Sequence, residues 1–268
     1  MTANNLFIRQ LTSTRVIRRI RKVSIFFQSD FAMSVKYAAG VLLRKSWKCQ
    51  LKVEGVYLYV RPGTPDLDVC CSSLGDEFSE IANIARDTHK FIVDAGGYIG
   101  SSAIFFARRF PESRIIVLEP DVENFGIAQL NCRPYQNVEV WNLALAGNAG
   151  RAKLRDRGTG AWGYTVVEEP TDCDTRIRGT VDLITVDHIV EMCAVQGIDI
   201  LKLDIEGGEY SLLEDVPGWI QRCDVIVAEL HDRIKSGCTE MFYKAMKGRT
   251  QFHLAGEKVA SVSDAITT

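Results

Sequence analysis

Acidic and imidazole side chains in this 268-residue sequence stand where apolar runs end, the positions from which a layered α/β protein presents chemistry. Asp94 closes FIVD and leads into the glycine turn AGGYIG. Glu119 closes IIVLE, the run KLDIEGGEY carries Asp204 and Glu206, and Glu229 and His231 end DVIVAELH. A turn between strand and helix in which Gly96, Gly97 and Gly100 leave the backbone bare has the form of a cofactor loop, with Tyr98 inside it. Charge selects among cofactors. A dinucleotide fingerprint would read G-x-G-x-x-G and seat a pyrophosphate on the helix N-terminus, but Ala95 holds the first position here and Asp94 would repel a phosphate. S-adenosylmethionine carries a sulfonium and an ammonium and no phosphate, so the same carboxylate attracts it. Glu119 stands about where a group gripping ribose hydroxyls is expected.

The second cluster suits proton handling. On a strand, Lys202 and Asp204 share a face, Glu206 follows in the turn, and Gly207 and Gly208 leave room for a ligand. Glu229 and His231 share a face at the next tip. Methyl transfer from a sulfonium to an alcohol needs a collinear acceptor oxygen and a group to take its proton. His231 or Asp204 would be that base and Glu206 the orienting group; alternatively Asp204, Glu206 and His231 would hold a divalent ion, a reading ranked below the metal-free one. Each residue also has a plain structural reading: a helix cap, a solvated loop acid, a hydrogen-bonded scaffold histidine. A non-catalytic module that only binds S-adenosylmethionine, and an NAD-linked oxidoreductase, are the alternative functions.

These tips need strands and helices to hold them. From Phe91 the pattern alternates strand and helix: FIVDAGG, SSAIFFARRF, IIVLEP, ENFGIAQLN, VEVWNLAL (138–145). That rhythm predicts a doubly wound parallel sheet. Residues 147–180 interrupt it with glycines, charges, Trp162 and Tyr164, which predicts an inserted hairpin or lid whose aromatics could stack on an acceptor. Asp187 is read as the N-cap of HIVEMCAV, followed by a strand over 199–205, a helix over 209–216, a strand over 224–231 and a closing hairpin over 252–262. Before Phe91, residues 5–48 read as helical, 53–60 as one strand, 61–66 as a turn and 74–87 as a short helix. The division expected is a basic helical and hairpin cap over 1–88 and a cofactor-binding domain over 89–268.

Residues 1–52 hold eleven Lys and Arg against Asp30 alone, a +10 head on a −12 body within a net charge of −2. That head could meet an anionic membrane surface or the acidic body of a second copy, so a homodimer and a peripheral membrane contact are both open. No nucleic-acid partner is expected. Eight scattered cysteines lack metal or disulfide spacing. The apolar stretches 24–27 and 37–43 are too short to span a bilayer. Together these predict a cytoplasmic protein, open to association with the inner membrane surface.

From about Leu58 to about His231 the chain resembles the FkbM family of S-adenosylmethionine-dependent methyltransferases. The resemblance is carried by VRPGTPD (60–66), VDAGGYIG (93–100), EPDVENF (119–125), TVD (185–187) and above all KLDIEGGEY (202–210). It implies a class I methyltransferase fold, Rossmann-like, with a seven-stranded sheet whose last strand is antiparallel. It also implies O-methylation of a hydroxyl on a small molecule or glycan, such as a sugar, glycolipid or polyketide, and places Asn142 near the adenine. The chain departs from the commonest family loop at Gly97 and Tyr98. Residues 1–50 match nothing recognisable.

Overall fold

The computed structural model describes residues 24–84, 90–170, 175–254 and 256–264. The chain divides into two compact units, Met1–Ser72 and Ser73–Thr268. In the first, the helix Phe31–Leu42 begins at Asp30, whose carboxylate accepts the Met33 N–H. The stretch expected as one strand over 53–60 is instead the second half of a hairpin, β1 (Cys49–Val53) and β2 (Val56–Val60). Glu54 and Gly55 turn it with positive φ at both residues, as a two-residue hairpin loop requires. The segment VRPGTPD is locked by a buried ion pair in which Arg61 donates twice to Asp66. Its end is helical, Asp66 opening the helix Asp66–Ser73 rather than closing a turn.

The second unit begins with a helix over Ser79–Ile84, within the expected 74–87. It is built on seven strands: β3 (Phe91–Ala95), β4 (Arg114–Leu118), β5 (Val138–Trp141), β10 (Ile198–Leu203), β11 (Cys223–Glu229), β12 (Thr250–His253) and β13 (Lys258–Val262). Their order is β12-β13-β11-β10-β3-β4-β5. All pairings from β11 to β5 are parallel, and β13 runs antiparallel to both its neighbours. The seven-stranded, doubly wound expectation holds, including the single antiparallel strand that comes last in the chain. The chain starts at β3, builds outward to β5, then crosses back to β10. The order therefore reverses between β3 and β10, where open sheets of this kind bind ligands.

Burial on both faces explains why β3 and β4 read as near-continuous apolar runs. Phe91, Val93 and Ala95 pack with Ile189, Leu212 and Phe242 of helices Val186–Cys193, Glu209–Leu213 and Cys238–Ala245. Asp94, between them in the alternation, faces the other way, toward helix Ser101–Arg109. The helix Cys238–Ala245 is not among the expected elements. Helix Val186–Cys193 is capped by Thr185, whose hydroxyl accepts the His188 N–H, and not by Asp187. A serine or threonine hydroxyl three residues ahead reaches that N–H, and Asp187 already lies inside the first turn.

The run 138–145 splits. Asn142 turns its amide back onto the carbonyls of Glu119 and Pro120, ending β5 at Trp141. Ala144–Leu145 (β6) joins a separate four-stranded sheet with β7 (Gly150–Asp156), β8 (Tyr164–Thr165) and β9 (Arg176–Ile184), in the order β6-β9-β7-β8. The inserted hairpin predicted for 147–180 is thus β7 and β9, with a bulge at Leu154/Arg155. Among the described residues no helix is long and apolar enough to cross a membrane, and seven cysteines are free and buried.

Candidate active site

Two loops meet at the reversal point. The first, Gly96–Gly100, leaves β3 and enters helix Ser101–Arg109; the second, Asp204–Gly208, leaves β10. They touch through backbone. The Asp204 N–H donates to Ala95 O at 3.1 Å, and a Cβ on Gly96 would lie 1.8 Å from Asp204 O, at φ +77°. Only glycine fits there. Each loop also holds a non-glycine residue at positive φ, Tyr98 (φ 51°) and Glu206 (φ 51°), a strained geometry that persists only when neighbours enforce it.

In the cofactor loop, the N–H groups of Gly96 and Gly97 donate to Leu118 O. Glu119, 5% exposed, accepts from the N–H groups of Tyr98 (2.9 Å) and Asp121 (2.9 Å) and from the Asn124 amide (3.3 Å). Burial is the largest influence on it and outweighs those donors, pushing its carboxyl up to about 8. Asn142 is exposed and braces the β4 tip through its two carbonyl contacts. Asp94 is fully buried: Lys202 Nζ lies 2.9 Å from Oδ1, and the Ser102 hydroxyl donates to Oδ2 at 2.5 Å. Its charge is thus met by the protein. Lys202 also donates to Gly96 O and remains charged: burial opposes the charge, and Asp94 and Asp204 more than restore it.

Asp204, Glu206 and His231 do come together. His231 lies just past the end of β11 with no solvent exposure. Its Nδ1 is 3.0 Å from Glu209 Oε1. Its Nε2 is 3.8 Å from Asp204 Oδ1, 3.9 Å from Glu206 Oε1 and 3.9 Å from Glu229 Oε1, too far for a hydrogen bond to any. Burial disfavours the imidazolium, but Glu209, Glu206 and Asp204 overcome it and push His231 up to about 9. For Asp204 burial is likewise outweighed, by Lys202 and His231, and the carboxyl is held below its ordinary range. For Glu206 burial prevails, raising it to about 7. Only Asp204, with 31% of its side chain exposed, opens to solvent; Glu206 is at 4%.

The sequence reading missed three supports. Glu209 sits at the start of its helix and collects the N–H groups of Ile205 and Gly207 as well as His231. Arg157, just past β7, donates to Glu206 Oε2 at 2.6 Å with 3% of its side chain exposed. Thr165 in β8 donates to Glu206 O at 2.6 Å. The inserted sheet therefore clamps the second loop. Of the two aromatics singled out there, Trp162 is 41% exposed, while Arg178 covers the ring of Tyr164 at 4.8 Å.

The model of the methyltransferase FkbM domain matches residues 94–252, from the cofactor loop through β12. The chain belongs to the FkbM methyltransferase family. It is an enzyme class that moves methyl groups, and the matched residues include both loops described above. Methyltransferase sdnD of Sordaria araneosa is 24% identical over 170 residues, 53% of this chain and 65% of that protein. A crystallised FkbM methyltransferase from Methylobacillus flagellatus KT aligns at 17% identity over 66% of this chain and 44% of its own, with a TM-score of 0.45. A putative O-methyltransferase from Klebsiella pneumoniae aligns at 14% identity over 75% and 91%, with a TM-score of 0.45.

Proposed function

We propose that this FkbM methyltransferase uses S-adenosylmethionine to methylate a hydroxyl group of a sugar, glycolipid or polyketide-type acceptor. The observation that carries this reading is the abutment of the two loops: a glycine turn on β3 lies against a carboxylate and histidine cluster on β10 and β11. The residues fit the cofactor. Glu119, at the tip of β4, offers a carboxylate for ribose hydroxyls, Asn142 stands beside it for the adenine side, and Gly96, Gly97 and Gly100 keep the intervening backbone bare. Tyr98 fixes the loop by donating its N–H to Glu119. Asp94 anchors that loop through Lys202 rather than meeting a ligand directly. The cofactor supplies the electrophilic methyl and takes the electron pair of the broken S–C bond.

The chain's own part is to seat the acceptor oxygen and take its proton. Asp204 is the ionised, solvent-facing group and acts as base; Glu206, fixed by Arg157, orients the hydroxyl; His231, pushed toward its charged form, favours the ionised Asp204 through its charge. Transfer of isotope-labelled methyl to a panel of hydroxyl and amine acceptors tests this. Label on oxygen, lost by roughly 10²–10⁴-fold in Asp204→Asn, is expected. Label on nitrogen only, or an undiminished Asp204→Asn rate, overturns it.

A second observation concerns the first unit. Phe27, Phe31 and Leu42 are 86%, 81% and 83% exposed, beside exposed Lys36, Arg44 and Lys45. Phe31 and Leu42 lie eleven residues apart on the helix Phe31–Leu42, about three turns and so on one face, and with the flanking cations they fit an anionic lipid surface.

A further inference from the structure

The geometry points to a divalent cation site formed by Asp204, Glu206 and His231, whose occupant binds the acceptor oxygen directly. The inference rests on the methyltransferase reading and deepens it. Each of the three side chains has one donor atom tied down and the other turned to a common point. Asp204 Oδ2 lies 3.6 Å from Lys202 Nζ, Glu206 Oε2 accepts from Arg157, and His231 Nδ1 is held by Glu209. That leaves Asp204 Oδ1, Glu206 Oε1 and His231 Nε2, all within 4.8 Å of one another.

Nε2 carries the decisive observation. It belongs to a fully buried imidazole, has no hydrogen-bond partner among the described residues, and is aimed into the cluster. A buried ring nitrogen without a partner is costly, and a histidine whose other nitrogen is held by a buried carboxylate is the usual arrangement behind a metal ligand. Charge agrees. Among the described residues, the ion pairs around the cluster join six carboxylates (Glu77, Asp94, Asp204, Glu206, Glu209, Glu229) to Arg157, Lys202 and Lys258, a surround that favours a further cation. An ion there would take the place of the Nε2 proton among these carboxylates, in a setting where uncompensated charge is expensive.

Two carboxylates and one imidazole suit a borderline-hard ion such as Mn²⁺ better than an all-oxygen preference such as that of Ca²⁺. Metal–ligand bonds of about 2.1 Å set adjacent donors about 3 Å apart, so binding would draw Asp204 and Glu206 inward by about 1 Å. The half-exposed side of Asp204 is where the remaining coordination positions would face water or the acceptor. With an ion bound, Asp204 would act as its ligand rather than as the base, and the acceptor hydroxyl would lose its proton to water more readily. Its oxygen then forms the new C–O bond as the S–C bond breaks and the pair goes to sulfur.

Titrating chelator-treated full-length protein with Mn²⁺, read by loss of the free-ion electron paramagnetic resonance signal, tests the site without any turnover. One ion per chain is expected, weakened at least tenfold in Asp204→Asn and in Glu206→Gln, with circular dichroism confirming that both variants stay folded. S-adenosylhomocysteine binding, measured on the same samples, should be unchanged in the variants. No stoichiometric Mn²⁺ binding, or binding indifferent to both substitutions, overturns the cation site and leaves the cofactor reading standing. Mn²⁺ binding without S-adenosylhomocysteine binding would keep the cation site and remove the methyltransferase assignment of it.

Discussion

Raising the pH should tighten the binding of S-adenosylhomocysteine, and Glu119 sets the size of the effect. Burial pushes this carboxyl from 4.5 to about 8, against the pull of its three N–H donors. Ribose hydroxyls donate hydrogen bonds and so favour the ionised carboxylate. Below pH 8 the ligand must drive a proton off, and the measured affinity is scaled by the fraction already ionised. That fraction rises roughly ninefold from pH 6 to 7 and roughly eightfold more by pH 8.5. Affinity should follow, then level off, and calorimetry in buffers of different ionisation enthalpy should count close to one proton released near pH 6.5. Stability runs the other way. A carboxyl with a raised folded pKa contributes stability that is present below about 4.5 and lost as pH rises through about 8. Glu119→Gln should flatten both profiles and weaken binding at pH 8.5 by about 1–3 kcal/mol. A wild-type affinity that is flat from pH 6 to 8.5, or a Glu119→Gln protein that keeps the slope, would refute the ribose assignment.

Arg157→Met should destabilise the protein by about 3–5 kcal/mol in urea unfolding, because it strands Glu206 in a buried site; adding Glu206→Gln should recover much of that loss. Gly96→Ala should cost at least about 2 kcal/mol, since its Cβ would fall on Asp204 O and φ is +77°, and thermal melting will show it. The first unit should draw the full chain onto vesicles of anionic lipid at low salt, and Phe31→Ser with Leu42→Ser should release it. Equal recovery on neutral and anionic vesicles would remove that contact, and a dimer lost in the same variant would assign the face to a second copy.

Much of the sheet is legible because its strands are buried on both faces and separated by amphipathic helices, so FIVDA, RIIVL and IDILKL stand out as runs. The tip acids follow from where those runs stop. What escapes notice depends on contacts far apart in the chain. Nothing around Arg157 marks it as the partner of Glu206, 49 residues on, since an arginine between an aspartate and a glycine reads as a solvated turn. Asp94 reads as a free tip acid until the register sets it beside Lys202. The break at Asn142 is invisible for the same reason, its amide being drawn to carbonyls 22 and 23 residues earlier. Glu209 is the exception that the sequence could have offered. Three carboxylates in six residues, D-I-E-G-G-E, cannot all face solvent from a strand tip and the start of a helix.

Calorimetric titration of the full chain with S-adenosylhomocysteine, set beside the same titration with NAD, tests the central claim most directly. One S-adenosylhomocysteine per chain, with no heat from NAD, is the result expected of a glycine loop that departs from the dinucleotide fingerprint at Ala95 and has Glu119 at the neighbouring strand tip. Saturable NAD binding with none of S-adenosylhomocysteine would contradict it.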